Sequence, residues 1–279
     1  MTTLRFPRMS IATLPLVLAV VFVELAVGGA FLIWALDRTK QAPLGSLKLI
    51  AGVDAVAGAL AFGLLPTLPR GALAEQAKLH TPALGSFTTA VQVLAVVLVA
   101  LLITTFLPWR ALRAFVSLLA LVVGGGAFVA AAVARTTDAQ AQFDPFALAA
   151  LPLGALALGG TSAAMLLGHW YLVTPKLSPT PLQRASLIVV VAVAAQALLV
   201  ATTVMRGQLV GVGESNLGVA LAIRVGVGIA MTLGLVLAAW WTARMNTQSS
   251  TGLLYVGLGT VLAGEVAGRV VFYLTGAAV

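Results

Sequence analysis

Five ionisable side chains lie inside long apolar stretches of the sequence, where a charge is costly to keep. They are Glu24, Asp54, Arg224, Glu265 and Arg269. An ionisable group at the centre of a bilayer costs about 3 kcal/mol or more, so such groups are candidates for a functional role. Buried carboxylates could accept protons, and arginines could orient the carbonyl groups of a quinone. The same groups could also form a closed network of salt bridges.

The last apolar stretch carries Glu265 and Arg269 four residues apart, with a glycine directly before each of them. The spacing places both side chains on one helix face, where they can pair, and the two glycines allow a neighbouring helix to approach closely. Counting residues along the spans places Arg224 and Arg269 in one half of the membrane, with Glu24 and Glu265 near mid-depth. We therefore expect these four side chains to share one interior patch. The patch would handle protons, or it would only dock the last helix onto helix 7 or helix 1.

Asp54 and His80 are two further candidate residues outside this patch. Asp54 lies in the run 52–58, whose small residues leave room for water or a ligand headgroup. His80 precedes the third apolar stretch, and a histidine can exchange protons near neutral pH. Such a histidine could exchange the protons of a quinol. Glu24, Arg224, Glu265 and Arg269 would form the proton-handling or structural network.

Several classes of redox and nucleotide site do not fit this sequence. It contains no cysteine, which excludes disulfides, thiolate zinc, Cys-ligated iron–sulfur clusters and covalent haem c. His80 and His169 flank spans at opposite sides of the membrane, so they cannot ligate one haem iron. The glycines at 124–126 lie in an apolar run without a preceding strand and indicate helix packing, not a phosphate site. We predict no haem and no metal in this chain, and no catalysis by the chain alone.

Composition indicates an integral membrane protein. Of 279 residues, 61% are hydrophobic and 9% are charged, whereas soluble domains carry about 25% charged residues. The net charge of +8 is spread singly between apolar runs, as in membrane loops, and does not indicate nucleic-acid binding. The runs are continuous, without the alternation of a β-barrel, and each is long enough to span a bilayer as a helix. The eight predicted helices, in one all-α polytopic domain over residues 1–279, are 11–36, 47–66, 84–108, 111–134, 146–173, 184–205, 217–243 and 250–275.

Charge and local sequence predict the topology. Lys and Arg, including Arg110 and Arg113, are slightly more frequent in the loops after helices 1, 3, 5 and 7, so these loops are predicted to be cytoplasmic. Both termini would then lie outside the cytoplasm. The first run is longer than a signal-peptide core of about 7–15 residues and is expected to be retained. Residues 26–29 (AVGG) resemble residues 157–160 (ALGG), which fits two four-helix halves repeated in parallel.

The final helix carries the sequence GEVAGRVVFY over residues 264–273, and the first helix carries a Gly-Gly pair. With eight spans, no cysteine and outside termini, the chain resembles the membrane-anchor subunits of the polysulfide reductase and dimethyl sulfoxide reductase group. Short loops and few polar residues in helices 3 to 6 depart from that pattern. The resemblance implies a subunit without its own cofactor in the cell's inner membrane. It would bind ubiquinone or menaquinone, with Asp54 and His80 predicted as the quinone-binding residues nearest the headgroup. It would also dock an iron–sulfur subunit, which exchanges electrons with a larger, molybdenum-containing catalytic subunit.

Two other classes of function remain open from the sequence. In a proton- or cation-coupled transporter, the buried carboxylates would bind the coupling ion, and Pro15 and Pro152 would interrupt corresponding helices of the two halves. The chain could also be a purely structural assembly subunit whose ion pairs serve packing alone. The presence of an iron–sulfur partner would distinguish a quinone-binding anchor from a transporter and from a structural subunit, because the anchor needs a source of electrons.

Overall fold

The computed structural model describes residues 5–135, 144–174, 177–210, 212 and 217–279, with the side chains of residues 5–11 left out. Eight helices in this part are long and apolar enough to cross a membrane, and it contains no strand. The prediction of an all-α multi-pass membrane protein is therefore confirmed. The helices are α1 (Arg5–Arg38), α2 (Leu44–Leu64), α3 (Thr81–Thr104), α4 (Arg110–Val133), α5 (Pro145–Val173), α6 (Thr180–Met205), α7 (Gly218–Thr242) and α8 (Thr247–Thr275).

Several helices begin about three residues before the predicted positions. Pro82 lies in the first turn of α3, where its missing N–H costs nothing. At the start of α8, the Asn246 side chain accepts hydrogen bonds from the backbone N–H groups of Gln248 and Ser249 at 2.9 and 3.1 Å. Such polar first turns fall outside an apolar run, so hydropathy alone places the helix start too late. The end of α3 is also corrected, from residue 108 to Thr104, four residues before Pro108.

Helix packing repeats between the two halves of the chain. In the first half, α1 packs against α2 and α4, α2 packs against α3, and α3 packs against α4. In the second half, α5 packs against α6 and α8, α6 packs against α7, and α7 packs against α8. Each half thus forms a ring of four helices. Corresponding helices are four spans apart, so they cross the membrane in the same direction, as the repeated Gly-Gly sequence predicts. The first helices of the rings, α1 and α5, pack against each other at the centre.

Glycine allows this central crossing. A Cβ atom added to Gly28 would lie 1.8 Å from the carbonyl oxygen of Ala155, and one added to Gly159 would lie 2.6 Å from the Cα of Gly28. Any larger residue would force the two backbones apart. The two similar sequences at 26–29 and 157–160 therefore form the contact between the halves.

A buried ion pair fastens α1 to α4 at one end of the first half. Arg113 donates from Nε and Nη2 to the two carboxylate oxygens of Asp37 at 3.0 and 2.9 Å, and its side chain is 1% exposed. Arg110 lies 3.8 Å from the same carboxylate but is 45% exposed. From the sequence, both arginines are expected to be loop charges, and for Arg113 this prediction is wrong. Arg113 is instead a buried packing residue, because its fork-shaped guanidinium matches the carboxylate in two parallel hydrogen bonds.

Candidate functional site

Four of the predicted site residues meet in the interior of the protein. Arg224 Nη1 lies 2.7 Å from Glu265 Oε1, and Arg269 Nη2 lies 3.1 Å from Glu265 Oε2. The same Arg269 nitrogen lies 2.6 Å from Oε1 of Glu24. Each of the four side chains is at most 1% exposed. The interior patch expected from their depths along the chain is present.

A fifth polar side chain, Gln196 on α6, completes the cluster. Its amide nitrogen donates to Glu265 Oε1 at 2.7 Å, and Arg269 donates to the backbone oxygen of Ala150 on α5 at 2.9 Å. We call Glu24, Gln196, Arg224, Glu265 and Arg269 the buried ion network. Gln196 was not among the predicted site residues, because it carries no charge and the cost of a buried ionisable group does not identify it. A lone amide in the middle of an apolar run is the signal that could have found it.

The charges in the network sum to zero but are shared unevenly. Glu265 contacts two arginines, whereas Glu24 contacts Arg269 alone among the described residues. Oε2 of Glu24 and Nε of Arg224 and Arg269 have no hydrogen-bond partner in that part of the chain. Buried polar atoms are nearly always hydrogen-bonded, so these atoms provide spare capacity to bind a proton, water or a polar ligand.

Local backbone features create the space for this network. A Cβ atom at Gly154 of α5 would lie 2.5 Å from Arg269 Nη2 and 2.7 Å from Glu24 Oε1. A Cβ atom at Gly268 would lie 2.9 Å from Arg224 Nε. Arg224 is carried by a π-helical stretch of α7, Ile223–Met231, and π-helical turns often occur at functional sites. Glycines on two helices and one wide helical turn together make room for the large guanidinium groups.

The network lies at the junction of the two halves. Glu24 belongs to α1 of the first half, and the other four side chains belong to α6, α7 and α8 of the second. The Glu24–Arg269 contact therefore joins the halves directly. Transporters built from repeats place their ion sites at such a junction near mid-membrane.

Asp54 and His80 lie apart from the network and at different depths. The Asp54 side chain is 2% exposed and faces Gly29 of α1, where an added Cβ would lie 2.0 Å from its Oδ1. His80 is exposed at the start of α3, and its backbone N–H donates to the oxygen of Ala134 at 2.9 Å. Asp54 is about 15 Å along the axis from the end of α2 at Leu64, and His80 lies beyond that end. The structure therefore does not bring these two side chains together around one headgroup.

His169 lies at the opposite end of the bundle from His80, at the end of α5. Its Nδ1 is 2.9 Å from the hydroxyl of Tyr255, and both side chains are exposed. This contact fits the expected aromatic belt at the membrane boundary, where tyrosine and tryptophan accumulate.

Two apolar grooves open on the outer surface of the helices. One, between α7 and α8, has a volume of about 590 Å³. It is lined by Val219, Ala220, Ile223, Gly259, Leu262, Ala263, Val266, Ala267 and Val270. The other, between α2 and α3, has a volume of about 340 Å³ and contains one polar side chain, that of Gln92. We call them the α7–α8 groove and the α2–α3 groove.

Comparison with protein-family models, with curated proteins and with solved structures finds no match to this chain. Its function therefore has to be inferred from its own residues. The buried ion network and the two grooves are the features that carry such an inference.

Proposed function

We propose that this chain is the quinone-binding membrane subunit of a respiratory oxidoreductase complex. The observation that supports this function is the position of the buried ion network directly behind the α7–α8 groove. Ile223, Val266 and Val270 line that groove, and each is adjacent in sequence to an arginine or a glutamate of the network. A quinone needs this combination, since it is soluble in lipid but takes up protons when it is reduced.

The α7–α8 groove fits the apolar part of such a substrate. It opens on the outer surface of the bundle and is lined by aliphatic side chains and glycine, which bind a ring and an isoprenoid tail through contact area. The guanidinium groups of Arg224 and Arg269 are the nearest strong hydrogen-bond donors, but they are 1% exposed. Headgroup binding therefore requires a local opening of the wall between groove and network. The π-helical stretch of α7 is the place where we propose that opening.

Reduction of a quinone to a quinol consumes two electrons and two protons. In the proposed function, an iron–sulfur partner passes these electrons between the quinone and a larger molybdenum-containing subunit, and the protons move with them. Glu24 and Glu265 accept and release the protons, and the two arginines stabilise the carboxylates when they are charged. His80, exposed at the end of the bundle, exchanges protons with the aqueous phase. Asp54 lies on α2 and faces Gly29 of α1, whereas this groove lies between α7 and α8, so in this proposal Asp54 is a separate buried acid.

We propose that the complex lies in the inner membrane with both chain termini outside the cytoplasm. The ends of α1 and α7 then face the cytoplasm. Arg38 lies 4.9 Å from the ring of Trp34, and Arg244 lies 4.7 Å from that of Trp241. Such pairs of cation and aromatic ring suit the boundary between lipid and water. Since the loops in the described part are short, the iron–sulfur partner would dock on one of the two loop faces.

The decisive test combines purification with a variant that fills the groove. The protein is tagged at its N-terminus, because residues 277–279 are buried, and purified in mild detergent from its native membrane. We expect an iron–sulfur protein in the mass spectrum and a quinone in the lipid extract. Ala263→Trp should remove the bound quinone and abolish electron transfer between the quinone pool and the partner subunits. Val122→Trp, on the 73% exposed surface of α4, is the matched control and should retain both.

A wild-type protein that purifies without quinone would contradict this function, as would an Ala263→Trp variant with normal quinone content. The second candidate is a proton- or cation-coupled transporter, which the Glu24–Arg269 contact between the halves favours. Reconstitution in liposomes separates the two functions. A transporter would show proton flux without any partner protein, and Glu24→Gln would abolish it.

A further inference from the structure

A single amide side chain faces outward at the middle of the membrane. Gln92 lies halfway along α3, Thr81–Thr104. Its side chain is exposed, whereas the other amide and charged side chains near the middle of the described spans are buried. No hydrogen bond joins its amide to another residue in the described part of the chain. The hydroxyl groups of Thr88 and Thr89, earlier on the same helix, donate to carbonyl groups of their own helix at 2.9 and 3.2 Å.

An amide in hydrocarbon without a hydrogen-bond partner is strongly disfavoured. Lipid tails can fill the surface around Gln92, but at this depth they contain no donor or acceptor. Detergent or lipid therefore leaves the amide unsatisfied. The group that covers it must carry a polar atom at mid-membrane, which is where another transmembrane helix can present a side chain.

The surface around Gln92 suits the close approach of a helix. It is the wall of the α2–α3 groove, about 340 Å³ in volume, with Ala55 and Ala59 on the opposite side. A Cβ added at Gly52 or Gly63, before and after these alanines on α2, would meet open space. Small residues spaced four apart let helix backbones approach and pack in a membrane.

We propose that the α2–α3 groove is the interface of a homodimer, in which the Gln92 amides of two copies hydrogen-bond to each other. An amide both donates and accepts, so it is its own complement. In a two-fold interface, a residue near the axis meets the same residue of the other copy. No charged side chain lines the groove, so two copies meet without repulsion. Val96, which is 70% exposed one helical turn from Gln92, would then lie near the same axis and meet Val96 of the other copy.

The absence of cysteine from the sequence makes this interface testable by cross-linking. Val96→Cys introduces a single thiol at the proposed axis, and oxidation in native membranes should produce a disulfide-linked dimer. Val191→Cys places a thiol at similar depth on α6, at a position 61% exposed on the other half of the molecule. This matched control should remain a monomer on a non-reducing gel.

A second measurement isolates the amide. Purified protein is labelled and placed in liposomes over a range of protein-to-lipid ratios, and dimers are counted by single-molecule photobleaching. Gln92→Leu should weaken dimerisation about threefold to tenfold, the range expected for hydrogen bonds between membrane helices. Val191→Leu should leave it unchanged. Equal dimerisation of Gln92→Leu and wild type would overturn the proposal. So would cross-linking of Val96→Cys to a different protein, which would identify a partner's helix as the occupant. These outcomes do not depend on quinone binding, because the measurement uses the protein alone.

Discussion

The buried ion network makes a prediction that depends on which charges remain after a substitution. Glu265→Gln keeps the shape of the side chain but removes the carboxylate that both arginines contact. Arg269 can still pair with Glu24, whereas Arg224 loses its carboxylate partner. Adding Arg224→Met removes this stranded cation and leaves one balanced pair, Arg269 with Glu24. Adding Arg269→Met instead strands two charges, the Arg224 guanidinium and the Glu24 carboxylate, which form no ion pair with each other in the described structure.

The sizes of these effects follow from burial. All four charged side chains are at most 1% exposed, and removal of one member of a buried pair costs about 3–5 kcal/mol. At roughly 2–4 °C per kcal/mol for a chain of this size, Glu265→Gln should lower the melting temperature by roughly 6–20 °C. Replacing a whole buried pair by apolar groups is often close to neutral, so Glu265→Gln/Arg224→Met should lie within about 2 kcal/mol of wild type. Glu265→Gln/Arg269→Met should be at least as unstable as the single variant.

Thermal unfolding in detergent, followed by size-exclusion chromatography of the soluble fraction, measures this order. Unfolding in mixed detergent and dodecyl sulfate micelles converts it into free energies. If the Arg224 double variant loses the sum of the two single losses, the residues act independently and the charge-balance argument is wrong. If Glu265→Gln/Arg269→Met is instead the more stable double variant, Glu265 pairs mainly with Arg269, four residues away, and Glu24 does not contribute to the charge balance.

Three further substitutions test individual contacts by the same melting assay. Gly29→Ala should cost about 1–3 kcal/mol of stability, because its Cβ would lie 2.0 Å from the Asp54 carboxylate. Most of that loss should vanish when Asp54 is also replaced by alanine. An equal loss with and without Asp54→Ala would exclude the clash. Arg113→Met should cost about 3 kcal/mol, since it removes both hydrogen bonds of the buried Asp37 carboxylate and leaves it only the exposed Arg110 at 3.8 Å. Arg110→Ala, at a side chain 45% exposed, should cost less than about 0.5 kcal/mol; similar losses would contradict the assigned roles. Tyr273→Phe removes a buried hydrogen bond of 3.0 Å and should cost about 1 kcal/mol, and no loss would show that the bond contributes nothing.

The fold was largely predictable because the membrane restricts the choices. Backbone in hydrocarbon must satisfy its own hydrogen bonds, so eight apolar runs without alternation could only be helices. The errors lie at helix ends, where polar capping residues such as Asn246 extend a helix beyond its apolar run. The repeat was visible as two similar Gly-Gly sequences, because the contact between α1 and α5 needs glycine on both sides.

The candidate site was predictable in part. An ionisable residue inside an apolar span is costly, so each charged residue of the buried ion network stands out in the sequence. The i,i+4 spacing on a helix also predicts the Glu265–Arg269 pair. Sequence spacing cannot show that Arg269 also contacts Glu24, because that contact depends on how α1 packs against α8 across the halves. The separation of Asp54 from His80 was available from the sequence, because the predicted helix 47–66 already placed Asp54 about 18 Å from the end that leads to His80. Gln92 and Gln196 are both lone amides in apolar runs, and packing alone determines that one is exposed and the other buried.

The crossing of α1 and α5 also determines where Glu24 lies. Gly28 is one helical turn from Glu24, and Gly159 is about one turn from Ala155, whose carbonyl oxygen faces Gly28. Because the backbones touch at this point, α1 can neither rotate nor shift without a clash, and the Glu24 carboxylate stays directed at Arg269. At Gly154, one residue before Ala155, the absence of a side chain leaves the space that the two groups occupy. The same short segment of α5 thus provides both the contact between the halves and the room for the charges that join them. The packing repeat and the ion network are therefore consequences of one arrangement of glycines, although three of the four charged side chains belong to the second half and Glu24 alone to the first.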